Sequence, residues 1–239
     1  MAESTGAGMT DAALLATLQL ADSAFPSGAY TLSGGLETLI EEGIVADVAG
    51  MAGCVRAFLL GRAAKGDLAA LVAAHRAASE PPPDVATIVA IDRRLEATKM
   101  AAEERQGSRR VGRRIASETL RLVSSTTLSA FVAAIEDGAT PGTASVAQGV
   151  AAAALGIPER QATVAAAHAQ ALGLLAAAVR LGTIGHGDQQ RILREAREAI
   201  VEAADVAAVT DWRALRPFAP GLDIAMARHE TAVGRLFAS

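Results

Sequence analysis

The sequence predicts an all-α fold, a single bundle of about ten helices. Hydrophobic residues make up 51% of the 239 residues, and much of that share is alanine, which suits helices that approach closely. Aromatic residues make up only 3%, and β-branched runs are few, which argues against a β-sandwich or barrel. The length allows a sizeable core. The net charge of -4 provides no overall field that would attract nucleic acid.

In the first half of the chain, apolar residues at helical spacing predict the helices, and glycine or proline ends them. Leu14, Leu15, Leu18 and Ala21 form one apolar stripe. Glycine 43 suits the end of the second helix, and three prolines at 81–83 break the chain after the fourth. Gly107 predicts a kink or turn before a basic helix. The predicted helices are 11–22, 33–42, 47–63, 66–78, 84–104 and 108–123.

In the second half, loop residues separate the helices more sharply. Glycine and proline between 137 and 142 end a short helix, and Pro158 suits a first helical position. Asp188 is predicted to cap the next helix, and Pro217 and Pro220 precede the last. The predicted helices are 128–136, 144–155, 159–182, 189–208 and 221–237. Residues 1–10 are predicted to be a flexible N-terminus, and residues 11–239 one domain.

The segment 20–37 interrupts this helical pattern. It contains Phe25, Pro26, Gly28 and Tyr30 in close succession, so it holds two of the chain's few aromatic residues. Proline fixes its own φ angle and restricts the residue before it, while glycine permits angles that other residues avoid. We interpret the segment as a rigid loop that presents aromatic side chains to a partner.

The C-terminus is the second unusual place, because Leu236 and Phe237 lie next to the chain end, where residues are normally polar. This tail is predicted to dock on its own core or on another chain. His229 lies on an apolar helix face and is predicted to be a core histidine that a hydrogen bond satisfies. Arg235 is expected to pair with an acid, either within the chain or on a partner, and we favour the partner.

Sequence signatures of catalysis and of cofactor binding are missing. The only lysines, Lys65 and Lys99, do not follow a phosphate-binding glycine loop, and neither the Gly-x-Ser-x-Gly nor the H-E-x-x-H pattern occurs. His186 and Asp188 are two potential metal ligands, but a helix cap explains Asp188 more simply. The sequence therefore predicts no catalytic residue, no metal site and no cofactor.

The cellular setting is predicted to be cytoplasmic. The single cysteine, Cys54, excludes an internal disulfide framework, and the N-terminus lacks the features of a signal peptide. The longest apolar stretch, 164–181, is mostly alanine and carries polar residues, so we interpret it as the buried centre of a bundle and expect no membrane contact.

A basic run precedes the middle of the chain, and it has two interpretations. Spacing by four places Arg105, Arg109 and Arg113 on one side of a helix, with Arg110 and Arg114 on an adjoining side. The run is either a surface for an anion or a protein partner, or a solvated face paired with nearby glutamates. Nucleic acid is not expected as a partner, because no interleaved aromatic residues are available to stack on bases.

Three segments together resemble the urease accessory protein F family, UreF. The first is a Pro-x-Gly, aromatic, Ser, Gly-Leu-Glu pattern, the second a Glu-x-Arg followed by Gly and Arg, and the third a His-Glu with a closing Arg-Leu-aromatic-x-Ser. They are met by Pro26, Gly28, Tyr30, Ser33, Gly35, Leu36 and Glu37, by Glu103, Arg105, Gly112 and Arg114, and by His229, Glu230, Arg235, Leu236, Phe237 and Ser239. One departure from the family pattern lies in the loop 180–188.

The resemblance implies an all-helical, non-enzymatic homodimer that takes part in the maturation of urease. Such proteins bind an accessory protein called D or H, and together they recruit the accessory GTPase G and present it to apo-urease for nickel insertion. Tyr30 and Arg235 are implied first for the GTPase-facing surface, with Ser33 and Glu37 nearby. The full predicted partner-binding set is Phe25, Pro26, Gly28, Tyr30, Ser33, Glu37, Arg105, His229, Glu230, Arg235 and Phe237.

Some of these residues also have a purely structural interpretation. Loop geometry explains Pro26, Gly28 and Gly35, a helix cap explains Ser33, and a solvated acid explains Glu37. Two alternative functions are an all-α enzyme that uses Mg²⁺, which the many helical acids suggest, and a helical regulator that binds nucleic acid through its arginines.

Overall fold

The structure is a computed structural model that describes residues 9–22, 24–28 and 33–230. Over these residues the chain forms twelve α-helices and no strand, which confirms the predicted fold class. The helices are α1 (Asp11–Ala21), α2 (Leu36–Glu41), α3 (Val48–Ala57), α4 (Asp67–Ser79), α5 (Val85–Thr98), α6 (Ala102–Leu122), α7 (Thr126–Glu136), α8 (Ala144–Ala154), α9 (Glu159–Arg180), α10 (His186–Glu195), α11 (Arg197–Val209) and α12 (Pro220–His229). A π-helical segment, Phe58–Ala63, continues α3, and a 3₁₀ turn, Trp212–Ala214, precedes α12.

Polar side chains fix where several helices begin. In each case an oxygen of the residue before the first turn accepts a hydrogen bond from a backbone N–H of that turn, which satisfies a donor that the helix leaves unpaired. These capping residues are Thr10, Asp47, Asp84 and Ser125. The three prolines at 81–83 lie between α4 and α5, as predicted.

The predicted break at Gly107 is wrong, because Gly107 is buried inside α6. The chain instead leaves the helical path at residues 99–101. There Arg105 Nη1 donates hydrogen bonds to the carbonyl oxygens of Lys99, at 2.7 Å, and Met100, at 2.6 Å. A side chain thus satisfies carbonyls that a continuous helix would have bonded itself.

The predicted helix 189–208 is two helices, α10 and α11. Gly185, not Asp188, occupies the N-cap position of α10, and Asp188 lies in its first turn. The Asp188 carboxylate reaches back to the backbone N–H of Gly185 at 3.4 Å and also accepts a bond from Arg191 at 2.7 Å. The Asp188 carboxylate therefore already accepts hydrogen bonds from the backbone of Gly185 and the side chain of Arg191.

The apolar stripe predicted for α1 does not face the core. Leu14, Leu15 and Leu18 are 41%, 65% and 58% exposed, and only Ala13 of this helix is buried. The face that packs on α9 is formed by Ala13, with Ala16 and Leu20 partly buried beside it. The small side chains of Ala13 and Ala16 allow a close approach to α9, and Leu14, Leu15 and Leu18 remain on the outside.

The core lies between α4, α8 and α9. The α4–α8 pair packs most extensively, and α6 packs on the other side of α8. The helix α9 is long and apolar enough to pass a test for a membrane span, but half of that window is buried against the rest of the described protein. Among the described residues it packs against α1, α2, α3, α4, α8, α10 and α11, which agrees with its predicted place at the centre of the bundle.

Asp92 organises the loop between α7 and α8, and sequence reasoning missed it. Its buried carboxylate accepts hydrogen bonds from Thr140 Oγ1 at 2.7 Å, from the backbone N–H of Gly142 at 2.6 Å, and from both the backbone N–H and the hydroxyl of Thr143.

The loop between α7 and α8 crosses α6 directly at Gly112. A Cβ atom at residue 112 would lie 2.2 Å from the carbonyl oxygen of Gly142.

We expect Gly112→Ala to lower the free energy of unfolding by about 1–3 kcal/mol, because the methyl group would meet backbone that Asp92 holds in place. Gly53→Ala is the control, since a Cβ atom at this helical glycine meets nothing within 4 Å. Gly53→Ala should be neutral or stabilising by up to about 1 kcal/mol. Urea unfolding of both variants tests this, and equal stabilities would contradict the close approach.

Candidate functional site

His229 joins two helices that lie far apart in sequence. Its Nε2 atom lies 3.0 Å from Oε2 of Glu37 in α2, and its Nδ1 atom lies 2.8 Å from Oε2 of Glu103 in α6. The imidazole is 1% exposed, as the sequence predicted for a core histidine with a hydrogen-bond partner. A ring nitrogen donates only when it carries a proton, so this arrangement holds a proton at each contact, on the ring or on a carboxylate.

Glu230 makes the adjacent contact. Its Oε1 atom accepts hydrogen bonds from the backbone N–H groups of Ala102 and Glu103, the latter at 3.1 Å. These are donors at the start of α6, where the helix leaves N–H groups unpaired and its dipole favours a negative charge. The carboxylate therefore ties the end of α12 to the start of α6. We call the four residues Glu37, Glu103, His229 and Glu230 the clasp.

A second group of charges lies beside the clasp. Lys99 Nζ lies 2.9 Å from Asp67 Oδ1 and 3.0 Å from Glu104 Oε1. Arg62 lies 2.6 Å from Glu104 Oε1 and also pairs with Asp223. All five side chains are at most 16% exposed. We call these five residues the ionic cluster; it links the π-helical segment, α4, α6 and α12.

The pKa values show that the cluster favours its charged forms. Burial alone would raise the pKa of Asp67, but the charge and hydrogen bond of Lys99 outweigh it and hold that pKa below 3.8. Burial would likewise lower the pKa of Lys99, but the charges of Asp67 and Glu104 outweigh it and hold that pKa above 10.5. Both charges are therefore present over the whole neutral range.

These directions fix the pH range of the stabilisation. A carboxyl group with a depressed pKa stabilises the fold above its unfolded value near 3.8, and the contribution is lost as the pH falls below it. An amine with a raised pKa stabilises the fold below 10.5, and the contribution is lost as the pH rises through its folded pKa.

We expect Asp67→Asn to flatten the acid limb of a curve of unfolding free energy against pH. An unchanged acid limb would show that Asp67 is not linked to folding.

Glu103 and Glu104 lie near the arginine run in sequence, but they do not belong to a solvated helix face. Glu103 contacts His229, and Glu104 receives both cations of the ionic cluster. Glu37 is not a solvated acid either, because it is 2% exposed. Ser33 is not a helix cap, since Gly35 occupies the N-cap position of α2 and Ser33 is completely buried. The one weak sequence signal for the cluster was Lys99, one of only two lysines.

The loop before α2 is described in part. Phe25 is half-buried against the core, while Pro26 and Gly28 are exposed, and Gly28 has a φ angle of 72° that favours glycine. Phe25 and Pro26 line a cleft of about 440 Å³ together with the ends of α1 and α6. The predicted residues Tyr30, Arg235 and Phe237 lie outside the described residues.

The arginine run divides between two roles. Arg105 bonds backbone carbonyls, and Arg109 Nε donates to Glu96 Oε1 at 2.7 Å. Arg114 lies 3.7 Å from Glu118 on an exposed face. Arg105, Arg109 and Arg113 also line a wide cleft with the loop 138–141. Part of the run is thus internal support, and part remains available at the surface.

The structure therefore brings the three predicted segments together. The first contributes Glu37, the second Glu103, and the third His229 and Glu230, which are the members of the clasp. Arg105 lies two residues after Glu103 in α6, and its side chain bonds the carbonyl oxygens of the chain that enters this helix. The loop residues Phe25 and Pro26 lie at the other end of α6, beside Arg121 and Leu122.

Comparison with known proteins gives a consistent result. The UreF family model matches residues 45–197. The chain is 35% identical to the urease accessory protein UreF of Yersinia pseudotuberculosis serotype IB (strain PB1/+), over 95% of this chain and 98% of that protein. It is 34% identical to the proteins of the same description in Yersinia pestis (strain Pestoides F) and in Yersinia enterocolitica serotype O:8, with the same coverage.

Proposed function

Because this chain belongs to the UreF family of urease accessory proteins, we propose that it is a non-enzymatic scaffold for urease maturation. In this role it binds the accessory protein D or H, recruits and regulates the accessory GTPase G, and presents it to apo-urease for nickel insertion. The working form is a homodimer in the cytoplasm, and the chain needs no cofactor of its own.

The observation that carries this proposal is the convergence of the three predicted segments in the clasp. A scaffold acts through the shape of its surface, so the segments that contact partners need a rigid base. Ser33 is completely buried, and Glu230 accepts a hydrogen bond from the backbone of α6. In sequence, these two residues border the segments that contain Tyr30 and Arg235. The clasp thus supports both predicted GTPase-facing segments from one place.

The clasp residues then have a positioning role. Glu37 and His229 are 2% and 1% exposed, so neither side chain offers a surface to a partner in this conformation. Their contribution to recruitment is to fix α2, α6 and α12 relative to one another. Direct contact is assigned to Tyr30, Arg235 and Phe237, as the family resemblance implies.

We expect Tyr30→Ala, or removal of residues 235–239, to abolish capture of the GTPase while the free energy of unfolding stays within about 0.5 kcal/mol of the parent. A pull-down with the GTPase, the D or H protein and tagged variants measures capture, and urea unfolding measures stability. Val209→Ala is the control, because Val209 is 86% exposed on α11, away from the clasp. Normal capture by both altered proteins would refute the assignment.

A second surface is offered by the exposed leucines of α1. Exposed apolar side chains grouped on one helix mark interaction surfaces more often than scattered ones do. We assign this face to the D or H protein. The double change Leu15→Ser and Leu18→Ser should leave stability nearly unchanged, since both side chains are more than half exposed, and should weaken binding to the D or H protein at least tenfold. Unchanged affinity in a titration would show that the face has another use.

A further inference from the structure

A wide cleft of about 650 Å³ lies between the junction of α5 with α6 and the loop 138–141, and its lining is basic. Among the described residues, one carboxylate lines it, that of Glu96, against five cations: Arg93, Lys99, Arg105, Arg109 and Arg113. The whole chain carries a net charge of -4, so the cleft is a local concentration of positive charge on an acidic protein. A concentration of one sign of charge attracts ligands of the opposite sign.

The surrounding carboxylates do not balance this charge. Lys99 is already neutralised by its two partners in the ionic cluster, which leaves four arginines and Glu96, a net charge of +3. Asp92 is completely buried behind the loop and lowers the sum by one, but its carboxylate already accepts four hydrogen bonds. Glu136 and Asp137 precede the loop in sequence and do not line the cleft.

The rest of the sequence supplies almost no further negative charge. Outside the described ranges it contains one acidic side chain, Glu3, and residues 231–239 contain a basic one, Arg235. The charge that balances the cleft therefore comes from solution or from another molecule.

Several N–H donors of these arginines remain available for a ligand. A guanidinium group has five N–H donors. Arg93 uses Nε to bond the carbonyl oxygen of Ala139 at 2.8 Å, Arg109 uses Nε and Nη2 for Glu96, and Arg113 makes no hydrogen bond or ion pair within the described residues. Arg93 and Arg113 are exposed, and the Arg109 side chain is 47% exposed. Paired guanidinium donors match the two oxygens of a carboxylate.

The spacing of the arginines on α6 indicates the shape of the ligand. Arg105, Arg109 and Arg113 follow one another at every fourth residue, so their Cα atoms lie about 6 Å apart in a row of about 12 Å. A single small anion would reach one end of this row. Carboxylates at every fourth residue of another helix repeat at the same interval and would meet the whole row.

We propose that this cleft binds an acidic helical segment of a protein partner, with glutamate or aspartate at every fourth residue. Nucleic acid fits less well, because no aromatic side chain among the described lining residues is available to stack on a base. The cleft lies beside the start of α6, where Arg105 bonds the entering chain and Glu230 of the clasp bonds Glu103. A partner bound in the cleft therefore also lies close to the clasp.

The direct test does not depend on the proposed role in urease maturation, because it uses a synthetic peptide. The purified full chain is titrated into a fluorescent alanine-based helix that carries glutamate at every fourth position over three turns, and anisotropy follows binding. We expect saturable binding that weakens as sodium chloride rises, because salt screens exposed charges. The same peptide with lysine in place of glutamate should not bind. Equal binding of both peptides, or no binding of the glutamate peptide, would overturn the proposal.

Two adjacent arginines of α6 provide a matched pair of variants. Arg113→Gln removes a charge that lines the cleft, and Arg114→Gln removes one on the adjoining face, where Arg114 lies 3.7 Å from Glu118 and is 63% exposed. Both variants have the same composition and net charge. Arg113→Gln should weaken peptide binding about fivefold, the loss of one exposed ion pair, and Arg114→Gln should leave it unchanged. Equal losses would reduce the effect to net charge and contradict the cleft as the site.

Charge reversal separates the acidic partner from other occupants. Arg113→Glu should weaken binding of the glutamate peptide at least about tenfold and should leave the oligomeric state in size-exclusion chromatography unchanged. Loss of an oligomer in this variant would assign the cleft to a second copy of the chain and overturn the proposal. Inorganic triphosphate should displace the peptide only at a large excess. Displacement at equal concentration would assign the cleft to a small anion, which would also overturn it.

Discussion

Replacing His229 by alanine is expected to lower the free energy of unfolding by about 3–5 kcal/mol. The change removes the hydrogen-bond partner that Glu37 and Glu103 share. Because the imidazole is only 1% exposed, its removal also leaves a cavity beside both carboxyl groups. Removing the shared partner of two carboxyl groups in the interior costs far more than removing an exposed ion pair, because each carboxyl group is left without its hydrogen bond and without water to replace it. Urea unfolding followed by circular dichroism gives the difference directly.

A conservative variant and a surface control sharpen this test. His229→Gln retains a hydrogen-bond donor but cannot donate to both carboxylates in the same geometry, so its loss should fall between the parent and His229→Ala. Arg160→Ala removes the pair between Arg160 and Asp205, whose side chains are 51% and 60% exposed, and should cost at most about 1 kcal/mol. If His229→Ala were no more harmful than Arg160→Ala, the clasp would not be a stabilising element.

The same variant has a functional consequence under the proposed role. Because His229 directly precedes Glu230 and the segment that carries Arg235, loss of the clasp should release the base of that segment. We expect capture of the GTPase to fall at temperatures where the variant is still folded. Capture equal to that of the parent, in a variant shown to be folded, would separate the clasp from recruitment.

The second large effect is expected for Lys99→Met. Lys99 is 5% exposed, and its Nζ atom bonds both Asp67 and Glu104, so a neutral side chain of similar length leaves two buried carboxylates with fewer counter-charges. We expect a loss of about 3–5 kcal/mol in the free energy of unfolding at pH 7. The pKa of Asp67 should also rise, because the charge of Lys99 is what holds it low.

The chain provides a matched control, since Lys65 is its only other lysine and is exposed. Lys65→Met should change stability by no more than about 0.5 kcal/mol. The two variants have the same composition and net charge, so any difference between them reports on position alone. Similar stabilities for both would mean that the ionic cluster contributes little to the fold.

Much of the fold could be predicted because helix periodicity is a local signal. The three prolines at 81–83 and the loop around Pro141 ended helices as expected, since proline and glycine act through backbone angles of their own residues. The sequence also identified the apolar stripe of α1, but it did not show that the leucines of this stripe face outward. Periodicity finds an apolar face but does not say whether α9 packs on that face or on the smaller alanines beside it.

The break before α6 shows a different limit. Gly107 was expected to interrupt the helix, yet the chain bends at residues 99–101, where Arg105 bonds the free carbonyls. A single glycine costs only about 1 kcal/mol in a helix, and packing of α6 on α8 outweighs it. Local propensity therefore gave the right helices with a misplaced boundary.

By itself, the sequence determined the helical fold, the core character of His229 and the resemblance to a family of accessory proteins. The pairing of charges was decided only in three dimensions. His229 meets Glu103 across 126 residues of chain and Glu37 across 192. Glutamates read as a solvated face became buried partners of a histidine, a lysine and an arginine. The physical reason is that the periodicity of a helix describes its own faces, whereas the partner of a buried charge is set by which other helix folds against it.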